Sequence, residues 1–406
     1  MGIVRQVENT RIVKMSRGYL YILFFTAIFL QAGAYGLTFM LPRLFDSFGA
    51  DEKVVGSMLF ATTISTIVTV YFSGHLSDYF GRQRTLSGAC IAISVSLFLY
   101  GFLDVVGISL VVASLLLGFG WGLTYSLGPV VLSRLVSGDM RVRFFTLLSV
   151  FVMAGFGLSP VLTAVLEGAG YSVRHAFYVT AALCVVSAYI FFFLDLPIKS
   201  HAINPRSEAP SKITLTAVSS VMASRSFLPI IMICLGASVF AGMINFQTVF
   251  ADARGLNYAS FFLTYTITVV IFRLILSRFK GGTNPYRTIA VLLYVMRISV
   301  VIFIFSGASF PLYMLVAVLF AVGYGISYPL LVTVTANDAE EHLGAQTLQL
   351  FALTYFIGIF GFPLIAGWFI VEMGTWPLLA FVAALALIEA TMALRRSGLP
   401  PPSGPV

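Results

Sequence analysis

Gly120-Trp121-Gly122-Leu123-Thr124-Tyr125 returns 203 residues later as Gly323-Tyr324-Gly325-Ile326-Ser327-Tyr328. At the same offset Gly155 meets Gly358, Pro160 meets Pro363 and Arg84 meets Arg287. The offset is half of the 406-residue chain. Four landmarks in one register describe two structurally equivalent halves.

Working outward, 59% of the residues are hydrophobic and 10% are charged, against roughly 45–50% and about 25% in soluble domains. The charges gather in short links between long apolar runs. Soluble helices would carry Lys and Glu along their outer faces, so here lipid must be the outer solvent. About twelve runs approach the roughly 20 residues that span a hydrocarbon core. They cover 18–45, 53–73, 85–104, 107–134, 143–166 and 174–195, then 227–251, 257–277, 287–306, 309–335, 343–371 and 375–394. Lipid-facing strands would alternate polar and apolar residues, and these runs do not. The predicted fold is therefore an all-α polytopic membrane protein, with twelve transmembrane helices in two six-helix bundles related by the repeat. The predicted bundles are 1–196 and 227–406, joined by a polar linker at 197–226. Parallel repeats of whole halves are a design of membrane carriers, with the solute site between the halves.

Charge predicts orientation. With the N-terminus in the cytoplasm, all but five of the 24 Lys and Arg fall on or near the cytoplasmic side. Arg43, Lys53, Arg174 and Arg254 fall opposite, and Arg297 falls within the membrane. The positive-inside rule selects this arrangement. The net charge of +8 is then topological and gives no reason to invoke nucleic acid. Arg11, Lys14 and Arg17 precede an apolar run too long for a signal-peptide core, so the first helix is expected to serve as its own insertion signal. Cys90, Cys184 and Cys234 fall in apolar runs and show no metal-ligand spacing.

Between segments two and three stands Gly74-His75-Leu76-Ser77-Asp78-Tyr79-Phe80-Gly81-Arg82-Gln83-Arg84. It resembles the G-x-L-x-D-R-x-G-R-K loop of the major facilitator superfamily. Tyr79 replaces the usual basic residue, and Gln83 replaces the Lys, with Arg84 next along. Gly74 and Gly81 permit close backbone approach. Asp78 can accept hydrogen bonds at a helix N-terminus. The resemblance implies that this neighbour is segment eleven, near Leu343 and Gly344, as a latch closing the cytoplasmic side. The second half's copy, Ser277 to Arg287, keeps Arg278, Lys280 and Arg287 without the acid, so the latch is expected to be one-sided. Gly155-x-x-x-Ser159-Pro160 approximates the G-x-x-x-G-P of exporting members, and Ser114 stands about where proton-coupled members place an Arg.

The resemblance also implies that segments 1, 4, 7 and 10 line a cavity. The flanking gates would be 2, 5, 8 and 11, with 3, 6, 9 and 12 as outer support. Mid-depth candidates for solute contact are Gln31, Tyr35, Trp121, Thr124, Tyr125, Asn245, Gln247, Tyr324, Ser327 and Tyr328. Buried amides need partners, so these polar groups either meet solute or bond another helix. Trp121/Tyr125 and Tyr324/Tyr328 are i, i+4 pairs, each on one helix face, suited to an amphipathic organic solute. Gly74, Asp78, Gly81, Arg82 and Arg84 are the predicted gate and latch. No acid is expected at mid-depth, and Glu389 is placed near an inner end. Arg297 lies about 15 Å deep at about 1.5 Å per residue and is expected to brace the bundle. Arg273 is expected to snorkel to the interface.

The leading expectation is a secondary exporter of a small organic solute in a bacterial cytoplasmic membrane, resembling the sugar-efflux-like and drug-efflux-like members. The alternatives are an importer of an organic anion or sugar, with Arg273 or Arg297 on the negative charge, and a receptor on a carrier scaffold. No catalytic residues, metal site, cofactor or ATPase motif is read. The implied partners are a small organic solute, the lipid bilayer and, for antiport, a proton, with the protein a monomer.

Overall fold

The computed structural model describes residues 16–137, 140–201, 214–276 and 284–398. Residues 202–213 of the linker, and Ser277, Arg278 and Lys280 of the second loop, lie outside the described residues. Among the described residues, twelve helices are long and apolar enough to cross a membrane. They are α1 (Arg17–Thr38), α2 (Glu52–Phe80), α3 (Arg82–Phe102), α4 (Ile108–Leu135), α5 (Arg141–Gly168) and α6 (Val173–Phe193). The second half supplies α7 (Phe227–Ile244), α8 (Tyr258–Leu276), α9 (Pro285–Phe305), α10 (Phe310–Asp338), α11 (Gly344–Met373) and α12 (Thr375–Ser397).

Helix starts follow capping chemistry. Ser16 accepts from Tyr19 N, Asp51 from Val54 N and Asn284 from Arg287 N, with Pro285 opening α9. Gly81 alone separates α2 from α3, and its φ of +86° is open to glycine and strained for other residues.

Segments one and seven are not continuous as the sequence suggests. α1 stops at Thr38 and a short helix, Leu41–Asp46, follows. α7 stops at Ile244 and Gln247–Asp252 follows. At the first break Pro42 has no N–H to offer the Thr38 carbonyl four residues back. The described ends of the linker are also helical. Asp195–His201 is tied by a Lys199–Asp195 pair of 2.9 Å, and Leu215–Ala223 is capped by Thr214.

Packing repeats between the halves. In the first, α1 packs on α5 and α6, α2 on α4, and α3 on α4 and α6. In the second, α7 packs on α11 and α12, α8 on α10, and α9 on α10 and α12. The halves meet along two equivalent seams, α2 with α11 and α5 with α8. Glycines bring these helices together. A Cβ on Gly36 would lie 2.1 Å from the Phe156 carbonyl oxygen, and one on Gly155 2.7 Å from that of Phe29. The repeat mate of Gly155, Gly358, packs the same way on α7, 2.6 Å from the Cys234 oxygen.

Candidate functional site

Tyr125 and Tyr328, repeat mates 203 residues apart, share a 2.7 Å hydroxyl–hydroxyl hydrogen bond. Equivalent residues can touch only near the axis that relates the halves, so this pair marks the middle of the molecule. Aromatic rings enclose it. Tyr35 of α1 stacks on Trp121 of α4 at 5.1 Å and meets Phe156 of α5 at 4.3 Å. From the other half, Phe360 abuts Tyr35 at 5.4 Å, and Phe356 abuts Tyr125 at 4.8 Å. Tyr328 packs against Tyr355, while Tyr324 stacks on Phe240 at 4.6 Å. The floor is thus aromatic, with phenol hydroxyls as its polar points.

Arg273 reaches into this floor. Its side chain is buried, whereas the sequence reading sends it to the interface. Pro329 explains the difference. Without an N–H, it leaves the carbonyl of Gly325 without a helical donor, and Arg273 Nε donates to that oxygen at 3.2 Å. Arg273 Nη1 also donates across to the Ser149 hydroxyl of α5, joining the halves. Tyr265, Tyr324, Tyr328 and Tyr355 lie within its electrostatic reach, and no acid does among the described residues.

The same rule accounts for two more contacts. Pro363 frees the carbonyl of Ile359, within a π turn at Ile357–Gly361, and Asn245 Nδ2 donates to it at 3.4 Å. Pro160 frees the carbonyl of Phe156, which lies against Gly36.

The other candidates divide by depth. Gln31 is buried with its Oε1 unpartnered. Thr124 and Ser327 are repeat mates and bond back to the carbonyls of Trp121 and Tyr324. Asn245 and Gln247 are not at mid-depth. α7 ends at Ile244, so they fall at its far end, where Gln247 donates to the Tyr313 hydroxyl at 2.8 Å. Arg297 is partly exposed on α9, away from these rings, and neither the expected brace nor an ion pair forms among the described residues. Glu389 is misplaced by the sequence reading. α12 runs on to Ser397, leaving its carboxyl inside the span, fully buried, with neither oxygen hydrogen-bonded. Phe156, Tyr355, Phe356 and Phe360 escape the sequence reading because they sit on helices assigned to gating. The prolines one turn after Phe156 and just after Phe360 are the available signal.

The two ends of the bundle differ. At the end opposite the N-terminus, Arg43 pairs with Glu167 at 3.3 Å and with Asp252 of the other half at 3.0 Å. Lys53 pairs with Glu372, and Tyr258 donates to Glu167 at 2.7 Å. Burial raises the Asp252 carboxyl above its usual range, with Arg43 opposing. This end is shut. Toward the N-terminal end, no ion pair between described residues joins the halves. Asp78 is exposed, with Arg82 and Arg134 as electrostatic neighbours, and a Cβ on Gly344 would meet open space. Arg84 pairs with Asp195 of its own half at 3.2 Å, and Ser77 bonds the Gly74 carbonyl. The predicted latch is therefore not engaged in this closed-at-the-far-end state.

If Asp78 latches in the opposite state, Asp78→Asn shifts the equilibrium toward the state seen here. Charge–dipole attraction of about 0.3–1 kcal/mol, up to about 2 when partly buried, sets the scale. Labelling of a cysteine at Gly344 should then rise by roughly two- to fivefold, and by up to about thirtyfold at the upper figure; unchanged labelling makes Asp78 an ordinary loop residue.

Two repeat-related six-helix walls, joined by ion pairs at one end and by none among the described residues at the other, enclose a buried polar and aromatic centre. That arrangement defines a multi-pass membrane carrier. The chain belongs to the Major Facilitator Superfamily, whose family model matches residues 23–363. Its fold is similar to that of the human organic anion transporter MFSD10 (TETRAN), at a TM-score of 0.68 and 14% identity, covering 94% of this chain and 100% of that one. It is also similar to the nucleoside transporter NupG, solved as a point mutant, at a TM-score of 0.71 and 14% identity, covering 93% and 99%. No curated protein matches the sequence.

Proposed function

We propose that this secondary transporter exports a small organic anion with an aromatic or otherwise apolar body from a bacterial cytoplasm. Arg273 carries the reading. A buried guanidinium without a counter-ion costs on the order of 3 kcal/mol or more in a membrane. A solute carboxylate, sulfonate or phosphate would supply the missing charge, and the rings around Tyr125 and Tyr328 would take its apolar body.

The bundles 1–196 and 227–406 serve as the two walls, rocking about the central aromatic floor, with the linker 197–226 joining them. Basic residues at the N-terminal end support a cytoplasmic location for both termini. The outward direction is supported by the likeness of Gly155 to Pro160 to the exporter motif, which here sets the α1–α5 crossing.

Matched pairs of aromatic carboxylates and their uncharged methyl esters test the solute class on purified protein. The acids should raise the melting temperature and the esters should not. Equal responses within each pair would remove the anion from the reading.

A further inference from the structure

Every other acid with a buried side chain in the described residues has a cation. Asp195 holds Arg84 and Lys199, and Asp338 holds Arg396 at 3.9 Å and the Tyr286 hydroxyl at 2.6 Å. Glu389 does not. Its carboxyl is wedged between α12 and α7, and room for it comes from Gly236. A Cβ there would lie 2.8 Å from Oε1 and 3.1 Å from Oε2.

The groups facing it are few. From α7 there is the Cys234 thiol, and from α10, beyond α7, the Tyr324 phenol, whose hydroxyl is likewise buried and unpartnered. No charged group on α9 or α11 acts on it among the described residues, Arg297 included. Tyr324 is also the ring stacked on Phe240 in the central floor. The carboxyl thus stands behind the solute floor, one helix away, with a glycine gap between.

An isolated carboxylate in such surroundings costs so much that the group neutralises instead. We propose that Glu389 is a proton-binding site on the α7–α12 seam, holding its proton while the far end is shut. Ionisation moves the proton from the carboxyl oxygen to water and leaves a carboxylate that this seam cannot house. Release is therefore tied to a rearrangement of α7, the helix that also packs on the π turn of α11. The inference rests on the alternating-access reading, and it makes a proton the coupling ion.

Dicyclohexylcarbodiimide, which is lipophilic and attacks protonated carboxyls, tests the site directly on the full-length protein. At pH 7.5, peptide mass mapping should find adduct on Glu389 and none on Asp78, which is exposed at the end of its helix and outside the apolar interior into which the reagent partitions. Coupling is read by maleimide labelling of a Thr38→Cys probe, buried in the shut state. Because the thiolate fraction itself rises with pH, labelling is expressed relative to the denatured protein at the same pH. That ratio should rise several-fold between pH 6 and 8.5 in otherwise native protein and stay constant in Glu389→Gln, which mimics the protonated acid at nearly the same shape. No adduct, or a Glu389→Gln protein that keeps the full pH response, overturns the proposal. Neither readout uses a solute, so protein that still discriminates acid from ester keeps the transport reading while losing this one.

Discussion

Arg273→Gln is expected to lower affinity for an aromatic carboxylate by about tenfold or more while leaving the empty protein at least as heat-stable as the parent. The affinity figure follows from a hydrogen bond to a charged group, worth about 1.5–3 kcal/mol. The stability side is a balance. Glutamine forfeits the bonds to the Gly325 carbonyl and to Ser149. It also removes a buried cation whose desolvation no acid offsets among the described residues. Arg273→Lys separates charge from shape. Lysine keeps the point charge but loses the planar fork that holds two partners at once, so it should rescue part of the anion binding and little of the bridge to α5. Isothermal titration with a carboxylate and its methyl ester, beside thermal unfolding of the empty protein, checks all three. A glutamine variant that melts early and still prefers the acid would make Arg273 a structural strut and leave the solute's charge without a binding group.

The length and number of the spans are legible because lipid imposes them: about 20 apolar residues is a physical ruler. The repeat is legible for a different reason. Gly120, Gly155 and Pro160 answer to backbone geometry that both halves share. Rotation is not legible. A helix between lipid and a packed apolar core is oily all round, so no polar stripe tells which face turns inward. That is why Phe156, Tyr355 and Phe360 carry no sequence signal of their own while Tyr125 and Tyr328, picked out by the repeat, are in the middle. Depth fails where helix ends are misjudged. Assuming continuous segments places Asn245 and Gln247 too deep, and ending segment twelve at 394 places Glu389 too near its end. Arg273 fails for want of a visible partner. Its acceptor is a carbonyl freed by Pro329, a contact that exists only once two distant helices are side by side. The signature loop is legible as a motif, but Asp78's role depends on a conformational state that one sequence does not display.

Blocking closure at the far end should have the other large effect, and it needs no solute. Gly56 and Gly367 sit on opposite sides of the α2–α11 seam. A Cβ on Gly56 would lie 2.4 Å from the Pro363 carbonyl oxygen, and one on Gly367 2.1 Å from that of Glu52. Both obstacles are backbone atoms, so no side chain can swing aside, and relief requires the two halves to separate. Overpacking of this kind costs about 1–3 kcal/mol, enough to shift a two-state balance by roughly 5- to 150-fold. Gly367→Ala should therefore populate the state open at the far end, raising maleimide labelling of Thr38→Cys by about tenfold or more and stopping transport. Gly36→Ala is the control. Its clash, 2.1 Å from the Phe156 carbonyl, falls within one half, so it should lower thermal stability without favouring either state. If Gly36→Ala opened the far end as readily as Gly367→Ala, the α2–α11 seam would be no more a gate than any other helix crossing. The state seen here would then owe its closure to the polar contacts at that end, the Arg43 and Lys53 ion pairs and the Tyr258–Glu167 hydrogen bond.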